Sequence, residues 1–208
     1  MTAIKSQPKA KSKLLDAAVN GFRAKGYAAT TVDDLCAAAG VTKGGFFHHF
    51  ESKEAVGLSA AQHFGSMAEG LFTSASYRAL PDPVDRLLGY VDLRKSLLQG
   101  ELAEFTCLFG TLLQETYQSH PAIRQACARH LSDHATRLEA DISEALSRYG
   151  SSTEWTARSL ALYMQAVIQG AFILAKADLG AAVAADCLDH LRRYLQALFN
   201  RSETKENP

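Results

Sequence analysis

Residues 30–54 read TTVDDLCAAAGVTKGGFFHHFESKE, and this stretch decides the fold. A short helix is predicted over Val32–Ala39, because Thr30 or Thr31 precedes it and a threonine oxygen accepts a free N–H of a first helical turn. Gly40 ends that helix, and a second short helix is predicted from about Thr42 to Phe50. A short helix, a glycine turn and another short helix form the arrangement of a helix-turn-helix.

The second helix combines apolar residues that lock it in place with an outer face suited to a close partner. Gly44 and Gly45 each cost about 1 kcal/mol relative to alanine in a helix, so the pair indicates that close approach outweighs helix stability. Lys53 begins the next helix, where N–H groups and an ammonium can share one phosphate. The locking residues are Val32, Leu35, Val41, Phe46 and Phe50, and the outer residues are Thr42, Lys43, Gly44, Gly45, Phe47, His48 and His49.

Outside this stretch, helical periodicity alternates with clear breaks. Ser52 caps a helix that continues to around Ala75, and Asp82 caps one whose first residue is Pro83. Residues 1–10 are polar and basic, and form either an arm that reaches the minor groove or a solvated tail. The other helices are predicted at Ser12–Lys25, Pro83–Leu98, Glu101–Gln118, 121–149, from Ser152 or Thr153 to about Asp178, and Ala182–Phe199.

The composition of the 208 residues favours an all-helical protein. Alanine occurs 34 times and leucine 26 times, against 13 for valine and isoleucine together. The net charge is zero, but residues 1–60 carry eight Lys and Arg against five Asp and Glu, which leaves +3 there and −3 in the rest. This basic N-terminal part indicates contact with nucleic acid or another anionic surface.

Several classes of protein are excluded by the motifs. The four cysteines include no CxxC pair, so neither a zinc knuckle nor a disulfide framework is predicted, and a reducing cytoplasm is the expected compartment. No signal peptide is recognised, and the longest apolar stretch, Leu160–Ala175, is shorter than the roughly 20 residues of a bilayer span. No phosphate-binding glycine loop, HExxH or GxSxG occurs, so we predict a non-enzyme without a cofactor, a metal or a membrane partner.

An ordered set of residues extends over about 8–68 without a gap. It runs Lys13-Leu-Leu-Asp-Ala-Ala, Phe22, Gly26-Tyr27, Thr30-Thr31-Val32, Leu35, Ala39-Gly40-Val41-Thr42-Lys43-Gly44, Phe47, His49-Phe50 and Ser52-Lys53-Glu54. This pattern resembles the DNA-binding domain of the TetR family of transcriptional regulators. The resemblance implies an all-α fold of about nine helices. It divides into a three-helix DNA-binding domain at 8–68, with the helix-turn-helix at about 31–50, a larger ligand-binding and dimerisation domain at 69–200, and flexible tails at 1–7 and 201–208.

The resemblance also implies roles around the recognition helix. Positions matching Thr31, Thr42, His49 and Lys53 commonly touch phosphates in the family, and positions matching Lys43, Gly44, Gly45 and His48 face base edges. Phe47 departs from the pattern, since the family usually has tyrosine there. The change removes a hydroxyl and one phosphate hydrogen bond, although the ring can still touch a sugar or a thymine methyl.

The last two helices are the predicted dimer surface, because the family forms a four-helix dimer interface from them. Their apolar stripes support either this role or simple packing into the chain's own core. Two DNA-binding heads on a two-fold dimer would read a palindrome. The predicted interface residues are Gln165, Ile168, Phe172, Val183, Cys187, Leu191, Leu195 and Leu198.

A small-molecule site in the body is implied by the resemblance, in which an effector releases the DNA. Aromatic residues with a few polar groups are typical of such a pocket, although aromatics at helical spacing also form plain core. The predicted lining residues are Phe72, Tyr90, Phe105, Cys107, Phe109, Tyr117, Trp155, Tyr163, Gln165 and Phe172.

Two further hypotheses concern sulfur and imidazole groups. Cys107 resembles the cysteine of a family subset that senses electrophiles or oxidants, or it packs as an inert small hydrophobe. Cys127, His130 and His134 share one helix, and a histidine pair four residues apart can chelate a metal. His134 also falls on an apolar stripe, so it is interpreted as a core or pocket residue and no metal is predicted.

The sequence therefore predicts a dimeric, sequence-specific DNA-binding regulator, acting as a repressor that a small-molecule effector releases from a palindromic operator. The alternative is a sequence-neutral nucleic-acid-binding or architectural protein, and a minor alternative is a thiol-based sensor through Cys107. The two main hypotheses differ in the effect of single base-pair changes. A sequence-specific protein should lose about 1–3 kcal/mol of binding free energy for each change, whereas a sequence-neutral binder should lose none.

Overall fold

The computed structural model describes residues 7–149 and 154–200, and this part of the chain is helical with no strand. The predicted stop at Gly150 lies outside the described residues, as do 1–6 and 201–208. The helix predicted to start at Ser152 or Thr153 instead begins at Ala157, because Thr156 caps it by accepting from the Ser159 amide, so that predicted start was wrong. A 3-10 turn at Ser76–Ala79 and a π turn at Ala175–Leu179 join some of the ten α-helices. These are α1 (Gln7–Lys25), α2 (Val32–Ala39), α3 (Lys43–His49), α4 (Lys53–Ser74), α5 (Pro83–Ser96), α6 (Leu102–Phe105), α7 (Leu108–Thr116), α8 (Pro121–Tyr149), α9 (Ala157–Leu174) and α10 (Gly180–Leu198).

The helix-turn-helix forms at α2 and α3. Helix α2 has the predicted bounds, and Thr31 caps it: its hydroxyl accepts from the Asp34 amide at 3.1 Å, while the Asp34 carboxylate accepts from the Thr31 amide at 2.9 Å. Gly40 ends α2 with φ 62°, a left-handed conformation that glycine adopts without steric cost. Thr42 caps α3 by accepting from the Gly45 amide at 3.1 Å.

Helix α1 begins at Gln7, so the prediction of a start at Ser12 was wrong. The apolar periodicity begins late, but lysine is a good helix former and the helix extends through Lys9 and Lys11 without apolar support. Part of the basic arm predicted at residues 1–10 is therefore helical. Lys9 and Lys11 are exposed on α1.

The single helix predicted over Glu101–Gln118 is two helices, α6 and α7, so residues 7–149 and 154–200 contain ten helices where about nine were predicted. Between them, Cys107 has extended backbone with φ −85° and ψ 124°. The break is stabilised from outside, because the buried Arg23 donates from Nε to the main-chain oxygen of Thr106 at 2.6 Å. The apolar periodicity continues across the break, so no local pattern marks it.

The described residues pack as two compact units that do not follow chain order. The first holds the residues up to Phe72 together with Thr106–Leu131, and the second holds Thr73–Phe105 with the residues from Ser132 onward. In the first unit α8 packs closely on α4, since a Cβ on Gly65 would lie 2.3 Å from the His130 ring. The predicted boundary between residues 68 and 69 assigns everything after it to one domain. In the structure, α7 and the start of α8 come after that boundary in the chain but pack with the N-terminal helices.

Within the second unit, a buried carboxylate on α8 forms ion pairs with two arginines. Asp141 on α8 accepts from Arg86 Nε of α5 at 2.8 Å and also pairs with Arg78. Helix α9 is strongly apolar: Ala157–Ala177, with a hydropathy of 1.4, is the one helix among the described residues that could cross a membrane by length and composition alone. A core helix has the same composition, and 44 % of that window is buried inside the structure.

Candidate nucleic-acid interface

Helix α3 is held by two aromatic anchors. Phe46 and Phe50 are buried in the hydrophobic core that α1, α2, α4, α7 and α8 form in the first unit. Their ring centroids are 5.8 Å apart. Because these anchors fix the inner side of a seven-residue helix, the opposite side must face outward.

The outer side of α3 presents most of the predicted DNA-contacting residues. Phe47 is 51 % exposed, and His49 and Gly45 are half-buried at the edges of this surface. Thr31, which caps α2, is exposed as well. The exposed residues of α3 and its cap are Thr42, Lys43, Gly44, Phe47 and His48.

The two glycines of α3 have different reasons to be glycine. A Cβ on Gly45 would lie 2.8 Å from Val41 Cγ1, so a larger residue there would require Val41 or the helix to shift. A Cβ on Gly44 would meet nothing closer than Thr42 Oγ1 at 4.0 Å. Packing against Val41 therefore accounts for Gly45, whereas no close neighbour among the described residues accounts for Gly44.

Lys53 has partners other than the predicted phosphate. Its Nζ donates to three main-chain oxygens of the α1–α2 connection, those of Tyr27 at 3.0 Å, Ala28 at 3.3 Å and Thr30 at 3.2 Å. The ammonium also lies 4.5 Å from the centroid of the Tyr27 ring. Since an ammonium has three donors, these contacts occupy all of them, and Lys53 fixes the segment that leads into the Thr31 cap.

The other charged groups of the helix-turn-helix pair locally. Lys43 Nζ lies 2.9 Å from Asp33 Oδ1, and both side chains are largely exposed, so the pair is weak and exchangeable. The amide and hydroxyl of Thr31 hydrogen-bond the Asp34 carboxylate, with Lys25 nearby, and lower its pKa from the ordinary value. Asp34 is thus committed to the cap and remains charged.

A cluster of basic groups borders the C-terminal end of α3. The His48 and His49 rings have centroids 5.0 Å apart, and Lys11 Nζ lies 5.7 Å from the centroid of the Phe50 ring. Burial, then the charges of His48 and Lys11, lower the pKa of His49. Sequence reasoning missed Lys11, although its place in the run Lys9, Lys11, Lys13 was the signal for it.

The predicted dimer residues divide into two groups. Ile168, Phe172, Leu191 and Leu195 are buried within their own chain, which is the alternative that the stripes left open. Gln165, Val183, Cys187 and Leu198 are half-buried. The structure exposes a different apolar surface from the predicted one. The prediction missed it because α9 is apolar on nearly all sides, so its sequence periodicity does not indicate which side faces outward. This outer α9 face consists of Leu162, Tyr163, Ile173 and Leu174, with Tyr194 of α10 beside Tyr163 at 5.3 Å between ring centroids.

The predicted pocket residues lie in both packing units. Phe72, Cys107, Phe109 and Tyr117 belong to the first, and Tyr90, Phe105, Trp155, Tyr163, Gln165 and Phe172 to the second. Tyr117 and Tyr163 are exposed, whereas Cys107, Trp155 and Gln165 are half-buried and the other five are buried. A groove of about 620 Å³ in the first unit is lined by none of these ten, but by residues of α1, α2 and their connection, among them Lys13, Asn20 and Ala37.

A cluster of hydrogen-bonded polar side chains surrounds Tyr90 in the second unit. Arg94 Nε donates to the Tyr90 hydroxyl at 2.9 Å, and that hydroxyl lies 2.8 Å from His134 Nε2. Burial, followed by the charges of Arg94 and Arg137, lowers the pKa of His134 to about 3. His134 is therefore neutral at physiological pH, and in the tautomer with Nε2 unprotonated it can accept a hydrogen bond from the Tyr90 hydroxyl.

The three candidate metal ligands of α8 have separate surroundings. Cys127 is buried in the apolar core of the first unit, where burial and then the neighbouring Cys107 raise its pKa to about 12. The His130 ring stacks on Phe109 at 5.1 Å between centroids. Within the described part of the chain, no three His, Cys, Asp or Glu residues are placed to share a metal ion.

The fold and this surface define a helix-turn-helix DNA-binding protein. Residues 14–59 match the family model described as bacterial regulatory proteins, tetR family, and residues 83–201 match the C-terminal domain of LmrA/YxaF-like transcriptional regulators. The chain belongs to the TetR family of transcriptional regulators, and it is a DNA-binding transcriptional regulator.

Individual relatives agree with this assignment. The chain is 29 % identical over 165 residues to the HTH-type transcriptional repressor DhaR of Mycobacterium sp. strain GP1, covering 79 % of this chain and 81 % of DhaR. It is 46 % identical over 164 residues to the HTH-type transcriptional repressor KstR2 of Rhodococcus jostii RHA1, covering 71 % of this chain and 77 % of KstR2. A TetR-family regulator from Agrobacterium tumefaciens has the same fold, with a TM-score of 0.81, 18 % identity and coverage of 90 % of this chain and 98 % of that one.

Proposed function

We propose that the protein is a dimeric repressor that binds a palindromic operator through α3 and is released from it by a small-molecule effector. The observation that carries the proposal is the anchored helix α3, which turns Lys43, Gly44, Phe47 and His48 outward. The names of DhaR and KstR2 as repressors support the sign of regulation. Operator DNA as the partner makes the cytoplasm the compartment in which the protein would act.

The proposed contacts differ in what they read. Lys43 and His48 would face base edges, while Thr31, Thr42 and His49, with Lys11 added, would lie along the phosphates. Lys53 contributes indirectly, by fixing the segment before Thr31, and its charge adds to the local field. Phosphate contacts would position the helix, and base contacts would select the sequence.

The dimer is proposed to form through the outer α9 face. Leu162 and Ile173 are about half exposed, as are Tyr163, Leu174 and Tyr194, and burying such apolar surface favours association. Gly170 lies on the same helix with open space around its backbone, which permits close approach of a second helix. A two-fold dimer presents the same face from both copies and brings two reading heads to one palindrome.

The effector is proposed to bind in the second unit near Tyr90. Arg94, Tyr90 and His134 form a hydrogen-bonded group that could orient a ligand. Phe105 and Phe172, whose ring centroids are 6.3 Å apart, are apolar candidates in the same unit. A mostly apolar site with a few fixed polar groups is the usual setting for a small molecule.

A selection of bound sequences from random duplex DNA tests the DNA-binding part of the proposal. Reduced protein should enrich one palindrome, and each mismatched base pair should weaken binding by about 1–3 kcal/mol. The alternative, a sequence-neutral binder, predicts salt-sensitive binding to every duplex with no enrichment. Lys43→Ala and His48→Ala should weaken binding to the enriched palindrome, and unchanged affinity in both variants would contradict the assignment of α3.

Light scattering of two matched variants tests the dimer. Leu162→Asp places a charge on the outer α9 face and should give a monomer at micromolar concentration. Met67→Asp places the same charge on an equally exposed apolar residue of α4, at 54 % exposure, and should leave the dimer intact. A monomeric wild type, or a dimer that persists in Leu162→Asp, would remove this face from the proposal.

A further inference from the structure

Phe47 is the exposed member of three aromatic residues on and beside α3. Phe46 and Phe50 are buried, whereas Phe47 has half its surface in water. The Phe47 ring stands edge-on to the Phe46 ring, with centroids 5.2 Å apart and planes at 85°. A buried neighbour therefore contacts the ring and restricts its orientation. Contact with an apolar partner would remove its surface from water, which is favourable.

The helix surface beside this ring is bare backbone. Gly44 lies three residues before Phe47, so the two positions share one face of α3. The nearest atom to a Cβ on Gly44 would be Thr42 Oγ1 at 4.0 Å, so the space around this main chain is open. A partner can approach the backbone at Gly44 while it touches the ring at Phe47.

The charges around the ring fit an anionic partner. Lys43 and His48 are exposed on the same short helix, and Lys11 lies beside Phe50. The partner must therefore offer an apolar group within anionic surroundings. On the base edges of the major groove that group is the C5-methyl of thymine, flanked on both sides by phosphates. A phenyl ring has no donor or acceptor group, so hydrogen bonding to a phosphate is excluded for this side chain.

We infer that Phe47 is a specificity-determining residue that contacts the C5-methyl group of one thymine in each operator half-site, with Gly44 leaving room for the approach. The inference rests on the proposed function, because it requires α3 to lie in the major groove. It assigns the discrimination at that base pair to a methyl group instead of a hydrogen bond. It also predicts that this position tolerates 5-methylcytosine better than cytosine.

Deoxyuridine substitution tests the contact, because uracil differs from thymine by that methyl alone. Each thymine of the selected operator is replaced by deoxyuridine, symmetrically in both half-sites, and affinity is measured by fluorescence anisotropy. One position should weaken wild-type binding by about fourfold per half-site, the value expected for one buried methyl group. Phe47→Ala should bind the thymine and deoxyuridine operators equally at that position. Phe47→Leu keeps an apolar side chain and allows the ratio to be measured if Phe47→Ala binds too weakly.

Lys43→Ala is the matched control, since it lies on the same helix and should weaken both operators while keeping their affinity ratio. Circular dichroism checks that each variant is folded, which the exposure of both side chains leads us to expect. Three results would overturn the inference: wild-type affinity insensitive to every deoxyuridine, full sensitivity retained in Phe47→Ala and Phe47→Leu, or an operator half-site without thymine. A selection without any enriched sequence would remove the proposed function and the inference with it, so the two failures are distinguishable.

Discussion

The guanidinium of Arg23 on α1 donates from Nε to the main-chain oxygen of Thr106, 83 residues later in the chain, at 2.6 Å. Both residues are buried, and the Arg23 guanidinium carbon lies 5.3 Å from the centroid of the Phe64 ring. Thr106 stands at the break between α6 and α7. One hydrogen bond thus joins the DNA-binding helices to the segment that packs with them in the first unit.

Replacing Arg23 by methionine should destabilise the protein. The change leaves the buried Thr106 oxygen without this donor, at a cost of about 1–3 kcal/mol. Urea denaturation followed by circular dichroism measures the loss. Arg78→Met, which removes one of two arginines from Asp141 in the second unit, serves as a comparison for the loss of a long cationic side chain. Full stability in Arg23→Met would show that this hydrogen bond contributes little.

Gly44→Ala and Gly45→Ala should have opposite effects on stability. Alanine at 44 meets open space and is a better helix former by about 1 kcal/mol, so the free energy of unfolding should rise while operator affinity falls. Alanine at 45 would bring its Cβ to 2.8 Å from Val41 Cγ1, so the free energy of unfolding should fall. Denaturation of both variants measures the free energy of unfolding, and DNA titration measures their operator affinity. Unchanged operator affinity in Gly44→Ala would remove the argument for close approach.

Lys43→Ala and Lys53→Ala should separate DNA binding from folding. Lys43 pairs with the exposed Asp33, so its loss should leave stability nearly unchanged and reduce the salt slope of operator binding by about one per half-site. Lys53 holds three main-chain oxygens, so its loss should lower the melting temperature. Equal melting temperatures for the two variants would contradict the structural role of Lys53.

His134 should make stability depend on pH below neutrality. Its pKa is about 3 in the folded protein, against an ordinary value of 6.5, so the unfolded chain takes up a proton that the folded chain does not. The contribution of His134 is complete above pH 6.5 and declines as the pH falls from 6.5 towards 3. The slope is at most about 1.4 kcal/mol per pH unit for one proton.

His134→Gln isolates this contribution from that of the carboxylates, which also titrate at low pH. Glutamine keeps a hydrogen-bonding group beside Tyr90 but does not titrate. The free energy of unfolding of the variant should therefore vary less between pH 6.5 and 4 than that of the wild type. Parallel pH profiles for the two proteins would mean that His134 is not kept neutral by the fold.

Cys107 offers a test of the thiol-sensing alternative. It is half-buried at the N-cap of α7, and its side chain makes no capping hydrogen bond. If peroxide or a quinone releases the protein from its operator, Cys107→Ser should abolish that release and Cys36→Ser should not. Release that persists in Cys107→Ser would leave Cys107 as a packing residue.

The sequence by itself determined the elements whose signals are local. The bounds of α2, the cap at Asp82 and the stop at Gly40 follow from short-range hydrogen bonding and backbone preference, which neighbouring residues settle. The α2 cap is narrowed to Thr30 or Thr31 in the same way, and the structure has Thr31 in that role. The outer face of α3 was predictable for the same reason, since Phe46 and Phe50 anchor one side and leave the other exposed.

Only the tertiary structure decided the features that depend on distant partners. The break at Thr106 needs Arg23, and the partners of Lys53 come from a connection more than 20 residues earlier. Which side of α9 faces outward was set by packing, because an all-apolar helix offers no periodic contrast between its sides. The difference between Gly44 and Gly45 is local in sequence, since Val41 lies four residues before Gly45, but it needed the three-dimensional course of the turn to show that Val41 is close to a Cβ at position 45 and not to one at position 44.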